Sequence, residues 1–217
     1  MQIEQRTTFI HADDFGITPG QAKAILSLSS SCGGSGALNS VSIFANSPAF
    51  YEAASLAQPY VRRGVLRVCL HLNLVEGPSV ADPKRIPLLV NERGMFDNNF
   101  MGLFKLGVTN KGEAFNQLVI ECRSQIQHFL SAFPDQQLSF QLDSHQHVHA
   151  VPIVYRALAQ ALAKENCLVK GCANLSIRFP FTGPASKATQ RNQPAPPHPK
   201  HAIHRRESQW LIVQKSS

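Results

Sequence analysis

The sequence contains no run of about 18 apolar residues, so nothing in it reads as a membrane-spanning helix. It also lacks a basic stretch followed by a short apolar core at its start, and without that leader pattern the expectation is a soluble, cytoplasmic protein with no membrane partner. Cys-x-x-Cys pairs are missing too. The five cysteines, Cys32, Cys69, Cys122, Cys167 and Cys172, are odd in number, which speaks against a disulfide framework and leaves reduced thiols as the expectation. Acidic residues run short near the end: residues 171–217 hold seven Lys and Arg against one acid, whereas residues 1–170 hold 14 against 13. The net charge of +7 therefore belongs to the last stretch and says little about what the near-neutral remainder binds, and nucleic acid is not the expected partner.

What is present is an alternation of two patterns, in a chain long enough for one sizeable domain. "RTTFIHADDF", "ALNSVSIFAN" and "GVLRVCLHLNL" have the β-branched and apolar character of strands. Between them lie two helical stretches, the first with Thr18 as its cap and Pro19 at its first turn, the second with Ser47 and Pro48 in the same positions. The helix "GEAFNQLVIECRSQIQHFLSAF", the strand "QLSFQLDSHQH", the helix "PIVYRALAQALAKEN" and the short strand "ANLSIRF" continue the series. This order predicts an α/β protein with a mainly parallel sheet, open or curled into a barrel, with ligands at the carboxyl ends of the strands. Residues 75–111 show no clean period; an irregular segment of that length is expected to overhang the strand ends and shape a substrate groove. Beyond Pro180 the composition turns to Pro, His and basic residues, too polar to bury a core, and is expected to be disordered or loosely docked, with "WLIVQ" as a possible edge strand.

Three polar clusters stand at three strand ends: Asp13 and Asp14; His71, Asn73 and Glu76; and "LDSHQHVH". Ionisable groups there are costly unless paired or bound to something, and histidines with carboxylates from separate strands make a divalent-metal site. In the last cluster Asp143, His145, His147 and His149 fall on alternate positions. At roughly 3.3 Å per residue its ends would lie about 20 Å apart in a continuous strand. The run must therefore divide its labour, one or two members binding metal and the others orienting them or touching substrate.

"HADDFGITPG", "NSVSIFANSPAFYEAASLA", "LHLNLVEG" and "LDSHQHVHAVP" resemble, in order and approximate spacing, the motifs of the YdjC family of carbohydrate deacetylases, over roughly residues 7–180. The resemblance implies a distorted β/α barrel, residues 1–180 here, related to the polysaccharide deacetylases, with residues 181–217 as a tail. It implies a divalent metal, magnesium in the first instance and zinc as the alternative, held by Asp14, His71 and a histidine of the 145–149 run. His145 is the first choice for that third position, with His147 or His149 in its place. Asp13 is then the expected general base, His149 the proton donor to the leaving amine, and Asp143 the carboxylate that orients an imidazole. Asn73, Glu76 and Arg178 are expected on the substrate, an N-acetylated sugar or short chitooligosaccharide that loses acetate, and a homodimer is implied.

The sequence departs from the family's pattern after Arg178, Phe179 and Pro180, where further β/α units are expected and the Pro- and His-rich stretch appears instead. An incomplete barrel exposes a sheet edge, so a catalytically compromised chain that acts only by binding is the alternative expectation. A metal-dependent phosphoesterase would use the same ligand types, but the motifs lack the Arg and Lys cluster that phosphate favours.

Overall fold

A computed structural model describes residues 8–135, 140–165, 176–177 and 213–214. Strands and helices follow as β1 (Phe9–Phe15), α1 (Pro19–Leu26), β2 (Ser40–Phe44), α2 (Phe50–Arg62) and β3 (Arg67–Leu72). After them come β4 (Glu76–Pro78), β5 (Met95–Asp97), α3 (Phe100–Thr109) and α4 (Lys111–Ala132), then β6 (Gln141–Ser144), α5 (Pro152–Lys164), β7 (Ser176–Ile177) and β8 (Val213–Gln214). The main sheet has the order β7-β6-β3-β2-β1-β8. Its first five strands are parallel, whereas β8 runs antiparallel to β1, pairing Val213 with Ile10 and Gln214 with Phe9. The fold is the α/β architecture expected, and among the described residues the strands form an open run with β7 and β8 at its edges. The rest of the stretch after Pro180, Arg178, Cys167 and Cys172 lie outside the described residues.

The sheet has one apolar and one polar side, read directly from alternation along the strands. Val41 and Ile43, Val68, Leu70 and Leu72, and Leu142 are buried on one side. His11, Ser40, Ser42, Cys69, His71 and Gln141 occupy the alternate positions, and they are buried as well. Helix α2 packs on the apolar side, where a Cβ at Gly16 would lie 2.9 Å from the Ala53 Cβ and 3.3 Å from Ile43. Gly16, at φ +90°, is thus required both by its backbone and by this close approach.

Three local expectations are corrected. Thr18 caps α1 as expected, its hydroxyl accepting from the Gln21 N–H at 3.1 Å. Ser47 does not cap α2, which starts only at Phe50; its hydroxyl donates to the Gly16 carbonyl and accepts from the Ala49 N–H, so it ties the β2–α2 turn to the β1–α1 turn. Residues 75–111 are not irregular throughout: β4 and β5 pair as a two-stranded ribbon and Asn99 caps α3. The strand expected to reach His147 stops at Ser144, because Gln146 and His147 take left-handed backbone angles inside a short 3-10 turn, His145–Ala150.

Helix α4 explains how the long segment is held down. Gln117, Glu121 and Gln125, spaced four apart, lie on its buried face. Glu121 accepts from the N–H groups of Val80 and Ala81, Gln117 from Leu88 N–H, and Gln125 both accepts from Asn73 N–H and donates to Asn73 C=O. The backbone of the overhanging segment is thereby satisfied away from water. No described helix is long and apolar enough to cross a membrane, and among the described residues Cys32, Cys69 and Cys122 are buried and in no disulfide.

Candidate metal centre

The polar side of the sheet converges at the carboxyl ends of β1, β3 and β6. Consecutive residues of a regular strand point to opposite sides, yet Asp13 and Asp14 both reach this end. A register shift between Ala12 and Phe15 and a left-handed Asp14, at φ 59°, achieve this. Such an angle on a non-glycine residue marks a backbone held for a purpose. Asp14 Oδ1 lies 3.1 Å from His71 Nε2 and 3.0 Å from His145 Nδ1. The ligand-capable atoms of Asp14, His71 and His145 all fall within 4.8 Å of one another. His147 is exposed, and His149 is buried with its Nδ1 on the Ser144 hydroxyl.

His71 is the most constrained of the three. It is the register partner of Asp143 across β3 and β6, and its Nδ1 sits 2.6 Å from Asp143 Oδ1. The carboxylate fixes the proton on Nδ1 and turns the Nε2 lone pair toward Asp14 and His145. Nε2 is buried and, although 3.1 Å from Asp14, makes no hydrogen bond among the described residues. A ring nitrogen facing a carboxylate oxygen out of hydrogen-bond alignment is what two ligands converging on a cation look like. Asp143 was expected to orient an imidazole two residues on; it holds His71 instead, because the neighbour across the sheet is closer than the neighbour along the chain.

His145 is oriented from its other side. Its Nε2 lies 3.4 Å from Glu76 Oε1, which places a carboxylate to keep the proton there and leave Nδ1 facing Asp14. Glu76, expected on the substrate, thus stands at the rim with its carboxylate toward His145. Asn73, also expected there, is buried, and its amide spans the turn: Nδ2 donates to Glu76 C=O while Oδ1 accepts from the N–H groups of Val75 and Glu76.

The charges of the site agree with a cation position. Burial opposes ionisation of Asp14, but His145 and His71 outweigh it and hold the carboxyl well below its ordinary range. Burial likewise disfavours a charged His71, yet Asp143 and Asp14 push it up to about 10. A positive charge is stabilised at this point, and a divalent ion can supply it in place of the proton. Burial lowers His149, with His147 acting in the same direction.

Sequence reasoning passed over His11 and Ser42. His11 Nε2 lies 3.2 Å from Asp13 Oδ1 and 3.3 Å from Asp143 Oδ2, with Nδ1 2.7 Å from the Ser40 hydroxyl. Burial works against its charge, but the two carboxylates prevail and raise its pKa. His11, Asp13 and Asp143 also lie within reach of a common ion, with the His11 ring set between the two acids. The Ser42 hydroxyl stands 3.2 Å from His11 Nε2, 3.1 Å from His71 Nδ1 and 3.3 Å from Asp13 Oδ1. The available signal was period two in "HADD" and "SVS", which puts His11 on the side of Asp13, and Ser40 on that of Ser42.

A cavity of about 310 Å³ adjoins the cluster, lined by Ile17, Phe44, Asn46, Pro48, Glu76 and Gly77 among others. Phe44 meets the rings of His71 and His145 edge-on, at 4.8 and 5.2 Å between centroids. No Lys or Arg lines it.

Parallel strands that end in a carboxylate and two imidazoles, beside a cavity lined by Glu76 and by no Lys or Arg, define an α/β protein with a candidate metal site at its strand ends. The chain matches the YdjC-like protein family over residues 8–215 and belongs to that family. The match extends past Pro180, where the sequence motifs had suggested that it would end. Similar proteins include the carbohydrate deacetylase of Xenopus laevis, 32% identical over 167 residues, which are 75% of this chain and 49% of the relative. That of Geobacillus stearothermophilus is 34% identical over 160 residues, 71% of this chain and 55% of the relative. The chain spans about half the length of the curated relatives it matches. A candidate cellobiose-phosphate cleavage protein from Enterococcus faecalis shares the fold, with a TM-score of 0.58 and 24% identity over 81% of this chain and 59% of that one.

Proposed function

We propose that the protein hydrolyses the acetamido group of an N-acetylated sugar, releasing acetate and leaving a free amine. The observation that carries this reading is His71, clamped at Nδ1 by Asp143 with a buried, unbonded Nε2 toward Asp14 and His145. The relatives' name, carbohydrate deacetylase, supports the reaction class, and a cavity with Glu76 but no Lys or Arg in its lining supports an uncharged sugar over a phosphate ester.

Asp14, His71 and His145 would hold a divalent ion, which when bound polarises the amide carbonyl and acidifies water. Two imidazoles and one carboxylate suit zinc or another first-row ion better than magnesium, which prefers oxygen ligands. Asp13, about half exposed and anchored by His11 and Ser42, takes the proton of the attacking water. His149 returns a proton to the nitrogen as the C–N bond breaks. Burial disfavours a charged His149, so the proton it delivers is the one that Asp13 takes from the water and passes on during the reaction. Asp143 and Glu76 orient His71 and His145.

Acetate release from N-acetylglucosamine and its oligomers, with zinc, manganese or magnesium added and chelator as the control, tests the proposal. Chelator-sensitive release that disappears in Asp14→Ala is the expected result. Full release by Asp14→Ala or His71→Ala would overturn it.

A further inference from the structure

Ser42, buried in the middle of β2, presents one hydroxyl to the polar side of the sheet and meets three partners there. His11 Nε2 stands 3.2 Å away, His71 Nδ1 3.1 Å and Asp13 Oδ1 3.3 Å. The sheet curls to bring them together. In a flat sheet β1 and β6, three strand intervals apart, would lie roughly 14 Å from each other, yet His11 Nε2 is 3.3 Å from Asp143 Oδ2. The two histidines thus lean in from either flank over the short side chain of β2, which joins a metal-holding imidazole to the carboxylate that takes a proton from water.

A hydroxyl has one proton and two acceptor lone pairs, so only one of the three partners receives the proton. The surroundings of each ring decide which. His11 Nε2 also faces Asp13 Oδ1 at 3.2 Å and Asp143 Oδ2 at 3.3 Å. Carboxylate oxygens only accept, so Nε2 carries a proton, while Nδ1 meets the Ser40 hydroxyl at 2.7 Å, which can donate or accept. His71 Nδ1 is protonated for the same reason, with Asp143 Oδ1 at 2.6 Å. Two N–H groups therefore meet the Ser42 oxygen, and its own proton is left for Asp13 Oδ1.

That direction sorts the two carboxylates into different tasks. Asp143 has both oxygens engaged, Oδ1 by His71 and Oδ2 by His11. Asp13, whose side chain is 46% exposed, receives His11 and Ser42 on Oδ1, whereas Oδ2 meets no donor among the described residues. We infer that Ser42 is a positioning residue of the reaction: held by two imidazole N–H groups, its hydroxyl donates to Asp13 Oδ1 and leaves Oδ2 to take the proton of the attacking water. The role rests on the deacetylase reading for that water, but on β2 for the placement of the hydroxyl.

Ser42→Ala removes the hydroxyl with little change in volume. It is made in the wild type and in Asp13→Asn, and kcat and KM for acetate release from N-acetylglucosamine at saturating zinc are compared, with zinc affinity and thermal unfolding measured on the same proteins. The expected result is about a tenfold loss in kcat, at the lower end of what supporting partners contribute, with KM within about twofold and zinc affinity within about threefold of the wild type. In Asp13→Asn, where no carboxylate is left to aim, the same change is expected to cost less than about twofold. Unchanged kcat, an equal loss in both backgrounds, or a loss matched by tenfold weaker zinc binding overturns the assignment. If the wild type releases no acetate, the deacetylase reading falls, and the nitrogen-15 shifts of the histidine rings decide the direction of the hydroxyl by themselves, as they do if Ser42→Ala does not fold. Protons on His11 Nε2 and His71 Nδ1, with and without zinc, support it. A lone pair on either nitrogen would draw the Ser42 proton away from Asp13 and overturns it.

Discussion

Asp143→Asn removes one charge from the polar side of the sheet while preserving its shape, and its consequence for metal binding can be worked out from two contacts and the burial of the carboxylate. Asp143 Oδ1 is 2.6 Å from His71 Nδ1, Oδ2 is 3.3 Å from His11 Nε2, and the carboxylate is largely buried. The asparagine can still accept from His71 through its Oδ1, so the ring stays in place. Lost are the charge that makes Nε2 a stronger donor and one of the two carboxylates beside His11. Partners of this kind are worth about 10- to 100-fold in metal affinity, or roughly 1.4 to 2.8 kcal/mol at 1.4 kcal/mol per factor of ten. Competition of zinc between the protein and a chromophoric chelator measures the difference, with the exposed Asp97→Asn as the control for a lost charge elsewhere. Equal zinc affinity of wild type and Asp143→Asn would refute the argument that this carboxylate prepares His71.

Glu121→Ala leaves Val80 N–H, Ala81 N–H and one Gln125 donor without their acceptor; at about 1 to 3 kcal/mol per orphaned donor, reduced by relaxation and entering water, a loss of about 2 to 5 kcal/mol is expected in denaturant unfolding, with Glu121→Gln losing less. In metal-free protein, Asp14 and Asp143 are held below their ordinary value of 3.8, so their contribution is present above that pH and fades as the pH falls beneath it. His71 is raised from 6.5 to about 10, so its contribution is complete below pH 6.5 and fades toward pH 10; melting temperatures in chelator across both windows, flattened on the alkaline side in His71→Gln, check the signs. Gly16→Ala combines a backbone at φ +90° with a Cβ 2.9 Å from that of Ala53, and a destabilisation of about 1 to 3 kcal/mol is expected from overpacking and backbone strain together.

The order of strands and helices was legible because hydrophobic period and caps are local. Thr18 and Pro19 mark a helix start without help from the rest of the chain. Ser47 and Pro48 carry the same signature and do something else, since the Gly16 carbonyl, reached only in the folded state, engages the Ser47 hydroxyl. The ribbon of β4 and β5 was hidden for a related reason: each strand has three residues, too short for a period, and their backbone is secured by Gln117, Glu121 and Gln125 from a helix later in the chain. The polar spacing in α4 is visible in the sequence, but which loop it serves is not.

The same division runs through the candidate metal centre. That Asp14, His71 and a histidine after Asp143 stand at strand ends follows from strand positions alone, whereas the choice of His145 and the partner of Asp143 do not. Spacing along the chain made Asp143 and His145 neighbours. The strand ends between them, however, and the left-handed turn at Gln146 and His147 carries the rest of the run away. Parallel register instead sets Asp143 beside His71, 72 residues earlier, and the twofold period of β1 brings His11 to its other oxygen. An acid in a strand-end motif is therefore assigned by sheet order and register. Here β6 lies next to β3 rather than beside β1, which gives Asp143 to His71 and leaves His145 to be oriented by Glu76 from the overhanging segment.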